Sequence, residues 1–390
     1  METSTAANNT TAEAASNDGN QLLRPLWASV LLIIVLGIII LLTVLGNLLV
    51  CVTVVTQRRL HTATNLFVFS LAATDLMLGL LVLPFSSLTT IWAKWPLGSV
   101  FCNIYISNDV WLCTISILNL FAISLDRHLA VTRPFRYEFL VTKRRVYICI
   151  ASIWLSSLLL AYVPIHVGWN TENGCVQNVK NPENCIFELG NKTYAMFISI
   201  GTYFVPLIIM CAVYARVYSI AKSQVKQINS VVKNGNTSTI KKKKKLFLRF
   251  GQSRKRSVKR DSQRGAVSDR KATITLGCVV VAFVVCWVPY FLLFSVKPWL
   301  RNKVNMDLDL FCLWLGYVNS TLNPFLYAFY NTTFRTAFRR VLCGKIRFFG
   351  DDRLEAYCRT PPPPPPPPIA SCSADESEMT MLKPPYSYNN

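Results

Sequence analysis

Charge is scarce in this chain: Asp, Glu, Lys and Arg make up only 16% of the 390 residues, while 52% are hydrophobic. Mean hydropathy is +0.34, high for a soluble domain and ordinary for a protein that crosses a membrane several times. Histidine is scarcer still. His61, His128 and His166 each lie at the edge of an apolar run, so no metal or nucleophile–base set is expected from them. The 13 cysteines are scattered, mostly inside apolar runs and without metal-ligand spacing, which argues against a zinc site or a disulfide scaffold. A cleavable leader is not expected, because residues 1–26 are polar and no basic segment leads into a short apolar core. The net charge of +21 does not imply a nucleic-acid partner, since the Lys and Arg residues sit in connections between apolar runs.

What the sequence does hold is seven apolar runs, near residues 27–54, 65–91, 100–131, 146–167, 194–221, 272–296 and 308–330. Each is long enough to span as a helix, at about 20 residues for the hydrocarbon core. The fold class expected is an all-α membrane protein, a seven-transmembrane helix bundle. Basic residues crowd the connections after the first, third and fifth runs, including Arg58, Arg59, Arg136, Arg144 and a dense set in 222–270. The positive-inside rule then places the N-terminus outside and the C-terminus in the cytosol.

The ends and the long loop read differently from the runs. Residues 1–26 are expected to be disordered and carry overlapping glycosylation sequons at Asn8 and Asn9; a third external sequon starts at Asn191. Residues 27–343 form the membrane domain, with 222–270 a basic cytoplasmic loop drawn toward anionic lipid. Ser253, Ser257 and Ser268 beside its basic residues suit kinases. Phe334, Phe338, Val341 and Leu342 repeat at helical spacing between basic residues, which implies a short amphipathic cytoplasmic helix on the inner leaflet. Cys343 at its end is placed for a palmitoyl anchor. Residues 344–390 are expected to be a disordered tail, stiffened by Pro361 to Pro368.

The third run carries the chemistry. Asp109 lies inside it and Asp126–Arg127 lie at its far end, 18 residues on. That is about 27 Å at 1.5 Å per residue, close to the thickness of the hydrocarbon core. Ionisable groups at membrane depth are expensive, and a functional site is the default reading of one. Asp109 is a lone carboxylate suited to a cationic guest; the bland alternative is a structural acid paired with a neighbouring helix. Asp75 in the second run also has no cationic neighbour in its own span.

Gly46–Asn47, Leu71-Ala72-Ala73-Thr74-Asp75, Asp126-Arg127-His128, Trp154, Pro206, Cys286-Trp287-Val288-Pro289 and Asn323-Pro324-Phe325-Leu326-Tyr327 follow one another, one per run. Together they resemble the signatures of the rhodopsin-like (class A) G-protein-coupled receptors. Asp109, Val110, Cys113 and Trp314-Leu315-Gly316-Tyr317 are similar to the biogenic amine branch, and Leu80 to Ser86 and Ser116 to Phe121 to its type-two histamine group. The resemblance implies a receptor, not an enzyme, that couples a small aromatic amine to a heterotrimeric G protein. For the histamine group that G protein is stimulatory and raises cyclic AMP; kinases and arrestin are the further partners implied.

The resemblance also assigns roles. Asp109 takes the ammonium and Tyr317 hydrogen-bonds the same carboxylate. Trp287, Tyr290, Phe291 and Phe294 form an aromatic wall, for which plain packing is the alternative. Asp75 with Ser116, Asn319, Ser320 and Asn323 implies an allosteric sodium pocket, the only cofactor-like group expected; the alternative is a water-filled polar network. Arg127 is held by Asp126 and by Asp269 at the base of the sixth helix, and Tyr327 repacks on activation. Cys102 pairs with Cys185, with Cys175 a second candidate.

One departure bears on the ligand. The histamine group has a fifth-helix Asp four residues before a Thr; here Thr202 is present but the Asp position is Ile198, with Ser199 beside it. Ser199 and Thr202 are suited to a phenol or catechol hydroxyl, as in dopamine, octopamine, tyramine or trace-amine receptors. His128 replaces the Tyr of most relatives. An opsin needs a seventh-helix Lys, and none occurs from 308 to 330. A transporter, the alternative of another class, needs paired repeats that the sequence does not show.

Overall fold

The computed structural model describes residues 25–92, 94–234, 277–300 and 304–343. The chain divides into two units, Met1–Ile346 and Arg347–Asn390, and every described residue lies in the first. The sequons at Asn8 and Asn9, Asp269, most of the basic loop and the proline-rich tail fall outside the described residues.

Six helices are long and apolar enough to cross a membrane: Leu26–Thr56, Ala63–Trp92, Gly98–Thr132, Lys143–Val167, Lys192–Ile220 and Gly277–Val296. A further helix, Met306–Tyr330, is of spanning length but carries Asn319, Ser320, Thr321 and Asn323, all buried. These are called the first to seventh spans. Their outward faces bear Ile34, Leu41, Leu45, Ile148, Leu155, Ile208, Val281 and Phe311, all exposed. Apolar side chains in that arrangement need lipid rather than water around them.

The sequence places the helix ends well and their interruptions poorly. Thr62 caps the second span through Asn65 N–H, and Thr142 caps the fourth through Arg145 N–H. The second span breaks at Val82, just before Leu83–Trp92, because Pro84 has no backbone donor. The fifth span is three pieces: Lys192–Ile198, a π-helical turn Ser199–Phe204, and a helix from Val205 with Pro206 as its second residue.

Buried polar pairs hold the bundle. Thr43 of the first span shares a 2.6 Å bond with Thr321 of the seventh, and Asn47 donates to the Ser320 carbonyl at 3.1 Å. The Ser70 hydroxyl accepts from Asn119 at 3.1 Å and from the Trp154 indole at 3.0 Å, tying second, third and fourth spans. A methyl group at Gly46 would lie 2.9 Å from the Pro324 ring, so that close approach needs glycine.

After the seventh span, the short helix Thr332–Leu342 is capped by Asn331, which accepts from the Thr333 and Phe334 N–H groups. Phe334 and Phe338 are buried, and Phe334 stacks on Tyr327 with ring centroids 5.4 Å apart. The apolar face of this helix thus packs partly on the bundle. Leu342 and Cys343 are exposed at its end.

Candidate functional site: an aromatic cavity and two polar centres

The third span presents Asp109, Val110, Cys113, Thr114 and Ile117 to a cavity that is partly open to solvent. Three- and four-residue spacings place them on one helix face. Across the cavity stand Trp287, Tyr290, Phe291 and Phe294 of the sixth span, and Leu313 of the seventh. These rings pack edge-on or tilted: Trp287–Tyr290 at 5.8 Å, Tyr290–Phe291 at 5.5 Å, Tyr290–Phe294 at 5.9 Å. Trp287 is held against the seventh span at Gly316, where an added methyl would meet the indole at 2.8 Å.

Asp109 is the cavity's acid. It accepts from the Tyr317 hydroxyl at 2.9 Å and contacts the Cys113 thiol at 3.4 Å. Neither partner is a cation, and among the described residues no basic side chain bridges it. A carboxylate in such surroundings has the chemistry to accept a charge-assisted hydrogen bond from a cationic group.

A disulfide joins Cys102, at the start of the third span, to Cys185 in the loop before the fifth, with Cα atoms 5.6 Å apart. Two residues on, Phe187 stacks on Phe294 at 6.1 Å and lines the cavity, so the bridge holds the loop over the cavity mouth. Cys175 is free and exposed. Lys297 and Asp309 pair at 2.6 Å and join the ends of the sixth and seventh spans.

The second polar centre surrounds Asp75, which is fully buried. Its carboxylate accepts from Ser320 at 2.7 Å, Asn323 at 2.8 Å and Ser116 at 3.4 Å. Both amide atoms of Asn319, next to Ser320 in the chain, are buried without a partner among the described residues. A carboxylate flanked by two hydroxyls is an oxygen donor set of the kind that suits a hard cation such as sodium.

At the far end of the third span, Arg127 is bridged to Asp126 at 2.6 Å. Asp126 also accepts from Thr64 at 2.7 Å and from the Tyr137 hydroxyl at 2.8 Å. Arg127 itself contacts the Thr64 and Tyr137 oxygens. Tyr137 belongs to the short connecting helix Pro134–Leu140. Burial, and next the Asp126 carboxylate, push its hydroxyl above the ordinary phenol range, so it remains a donor at physiological pH.

Residues 46–327 match the model of the 7 transmembrane receptor (rhodopsin family). The chain belongs to that family. It is therefore a multi-pass plasma-membrane receptor and not an enzyme. It is 42% identical to the histamine H2 receptor of Homo sapiens over 315 residues, 80% of this chain and 79% of that one. The Rattus norvegicus histamine H2 receptor is 43% identical over 310 residues, 79% of this chain and 78% of that one. The octopamine receptor beta-1R of Drosophila melanogaster is 37% identical over 314 residues, 79% of this chain and 60% of that one.

Not every residue singled out from the receptor's sequence reaches the cavity. Trp314 spends its indole N–H on Thr90 at 3.0 Å and stands edge-on to Tyr317. Ser199 is fully buried and donates to the Ala195 carbonyl at 2.7 Å; the fifth span shows the cavity Tyr194, Ile198 and Thr202 instead. Asn191 spends its side-chain oxygen on the Tyr194 N–H, capping the fifth span. Sequence reasoning passed over Thr64, Tyr137, Phe187 and Tyr194. Tyr194 had one readable signal, since it falls four residues before Ile198 and eight before Thr202.

Proposed function

We propose that this receptor binds a small protonated biogenic amine at Asp109, in the manner of a histamine-like receptor, and passes the signal to a heterotrimeric G protein. The observation that carries the reading is one carboxylate, without a basic partner among the described residues, facing an aromatic cavity. An arylethylamine satisfies both ends of such a cavity: its ammonium the acid, its ring the aromatic wall. The histamine H2 receptors' likeness over most of the chain supports a stimulatory G protein and a rise in cyclic AMP.

The direction of signalling follows from positive-inside orientation, with the N-terminus and amine cavity outside and Arg127 at the cytosolic end. Release of Arg127 from Asp126, Thr64 and Tyr137 opens a cleft for the G protein, with sodium at Asp75 favouring the closed packing. Kinases and arrestin act on the cytosolic segments, and Cys343 takes a palmitoyl chain.

Which amine is favoured turns on the fifth span. Ile198 lines the cavity where an acid partner for an imidazole is missing, which keeps octopamine-, dopamine- and tyramine-type ligands as the second reading. The test is a panel of histamine, dopamine, octopamine, tyramine, serotonin and trace amines on transfected cells, read as cyclic AMP and calcium. At least one amine is expected to act through cyclic AMP, and Asp109→Ala is expected to abolish it at equal surface expression. A normally responding variant would remove amines from consideration.

A further inference from the structure

The loop between the fourth and fifth spans is folded around four side-chain amides, all buried: Asn103 of the third span, and Asn170, Gln177 and Asn178 of the loop. Asn178 has φ 63°, the one positive φ outside glycine among the described residues, and asparagine tolerates that conformation better than most. Its Oδ1 accepts from the Ile186 N–H at 3.2 Å, and its Nδ2 donates to the Ile186 carbonyl at 3.0 Å. The same Nδ2 donates to Asn103 Oδ1 at 3.1 Å, and Asn103 Nδ2 donates to the Gln177 carbonyl at 3.1 Å. Two residues beyond Ile186, the Glu188 N–H donates to Gln177 Oε1 at 2.9 Å, and the Glu188 carbonyl accepts from Asn170 Nδ2 at 2.9 Å. Asn170 Nδ2 also donates to Gln177 Oε1 at 2.7 Å, which closes the set. The backbone is therefore gripped by side-chain amides on both sides of Phe187, the loop residue that lines the cavity and stacks on Phe294.

We propose that Asn178 and Gln177 are positioning residues for Phe187, and that their amide clamp makes residues 185–188 a fixed roof that limits entry to the cavity. The disulfide alone anchors one point, Cys185, about which the loop can still pivot. The clamp adds a hold on Ile186 and another on Glu188, so the ring between them cannot swing without breaking buried bonds. Each broken bond would strand a buried amide or peptide group, which costs more than the bond's net worth. Asn103 fixes the clamp to the third span one residue after the bridged Cys102, so the roof keeps its register with the helix that carries Asp109. A fixed roof acts on any guest, and no particular ligand need be assumed.

Cys113 lines the cavity with a free thiol and so reports entry. The full-length receptor, carrying Cys175→Ser to remove the exposed loop thiol, is treated with 2-aminoethyl methanethiosulfonate, a small cationic thiol reagent. Labelling is followed by the mass of the purified receptor, with Cys113→Ala marking the increment that belongs to that thiol. Phe187→Ala is expected to speed labelling about tenfold. Asn178→Gly, which keeps the left-handed backbone unstrained and removes the amide, is expected to do so by about the same factor. The two together are expected to be no faster than Phe187→Ala alone, because the amide acts through that ring. Gln177→Met removes the acceptor for the Glu188 N–H and is expected to match Asn178→Gly. Rates that multiply in the combination, or a parent-like rate in both clamp variants beside a fast Phe187→Ala, overturn the positioning role. A parent-like rate in Phe187→Ala overturns the roof. Cys286, buried in the sixth span, is the control for a loosened bundle. Its labelling is expected to stay unchanged, and a matching rise there, or loss of both clamp variants from the cell surface, overturns the proposal in favour of a purely structural role.

Discussion

The Tyr317 hydroxyl donates to Asp109 at 2.9 Å across two spans, third to seventh. That bond fixes one carboxylate oxygen and ties the cavity's acid to the helix that also carries Asn319, Ser320 and Asn323. Under the proposed amine reading, ligand seating at Asp109 acts directly on the seventh span. Tyr317→Phe is expected to lower amine potency about three- to tenfold, the net worth of one such bond, without changing surface expression. Cyclic AMP concentration–response curves in transfected cells check it.

Asp75 offers a second lever on the same helix. Sodium is expected to weaken agonist binding to the parent receptor, if the proposed ion at Asp75 favours the closed packing. Asp75→Asn keeps the side-chain shape, removes the charge and is expected to make agonist affinity indifferent to sodium. Radioligand competition in sodium against N-methylglucamine decides; a variant that retains the full sodium effect would exclude this site.

At the inner end, Tyr137 and Thr64 both bond Asp126, which bridges Arg127. Tyr137→Phe deletes one hydrogen bond to an ionised acceptor, typically worth about 1.5–3 kcal/mol. Agonist-free cyclic AMP is expected to rise several-fold. Because the Tyr137 hydroxyl titrates above its ordinary range, this resting contact is expected to show no Tyr137-linked change between pH 6 and 8.

Gly316 is the packing point of the Trp287 ring, 2.8 Å from where a methyl would stand. Gly316→Ala must displace the indole or part the sixth and seventh spans. The expected cost is about 1–3 kcal/mol of stability, together with reduced agonist efficacy. Unfolding of the purified receptor and maximal cyclic AMP response measure the two effects.

The disulfide is expected to be needed for the cavity roof. Cys102→Ser frees the loop that carries Phe187 onto Phe294, so weaker ligand binding and lower surface expression are expected. Cys175→Ser, at an exposed free thiol, is expected to leave both unchanged.

The seven spans, their order and the polar residues inside them were legible in the sequence, because lipid tolerates only long apolar helices and singles out each acid within them. Asp109, Asp75 and Asp126–Arg127 announce themselves by being out of place in an apolar run. The assembled bundle decided where hydroxyls point. Ser199 and Thr202 look equivalent along the chain, yet Ser199 sits off the cavity wall while Thr202 lines it. Tyr194 reads as an ordinary aromatic until its oxygen is found buried without a partner among the described residues. Thr64 and Tyr137 meet Asp126 only because second span, third span and connecting helix converge at one end. Burial cost is written in composition and can be read residue by residue; partnership depends on helices brought together by packing, which only the tertiary structure supplies.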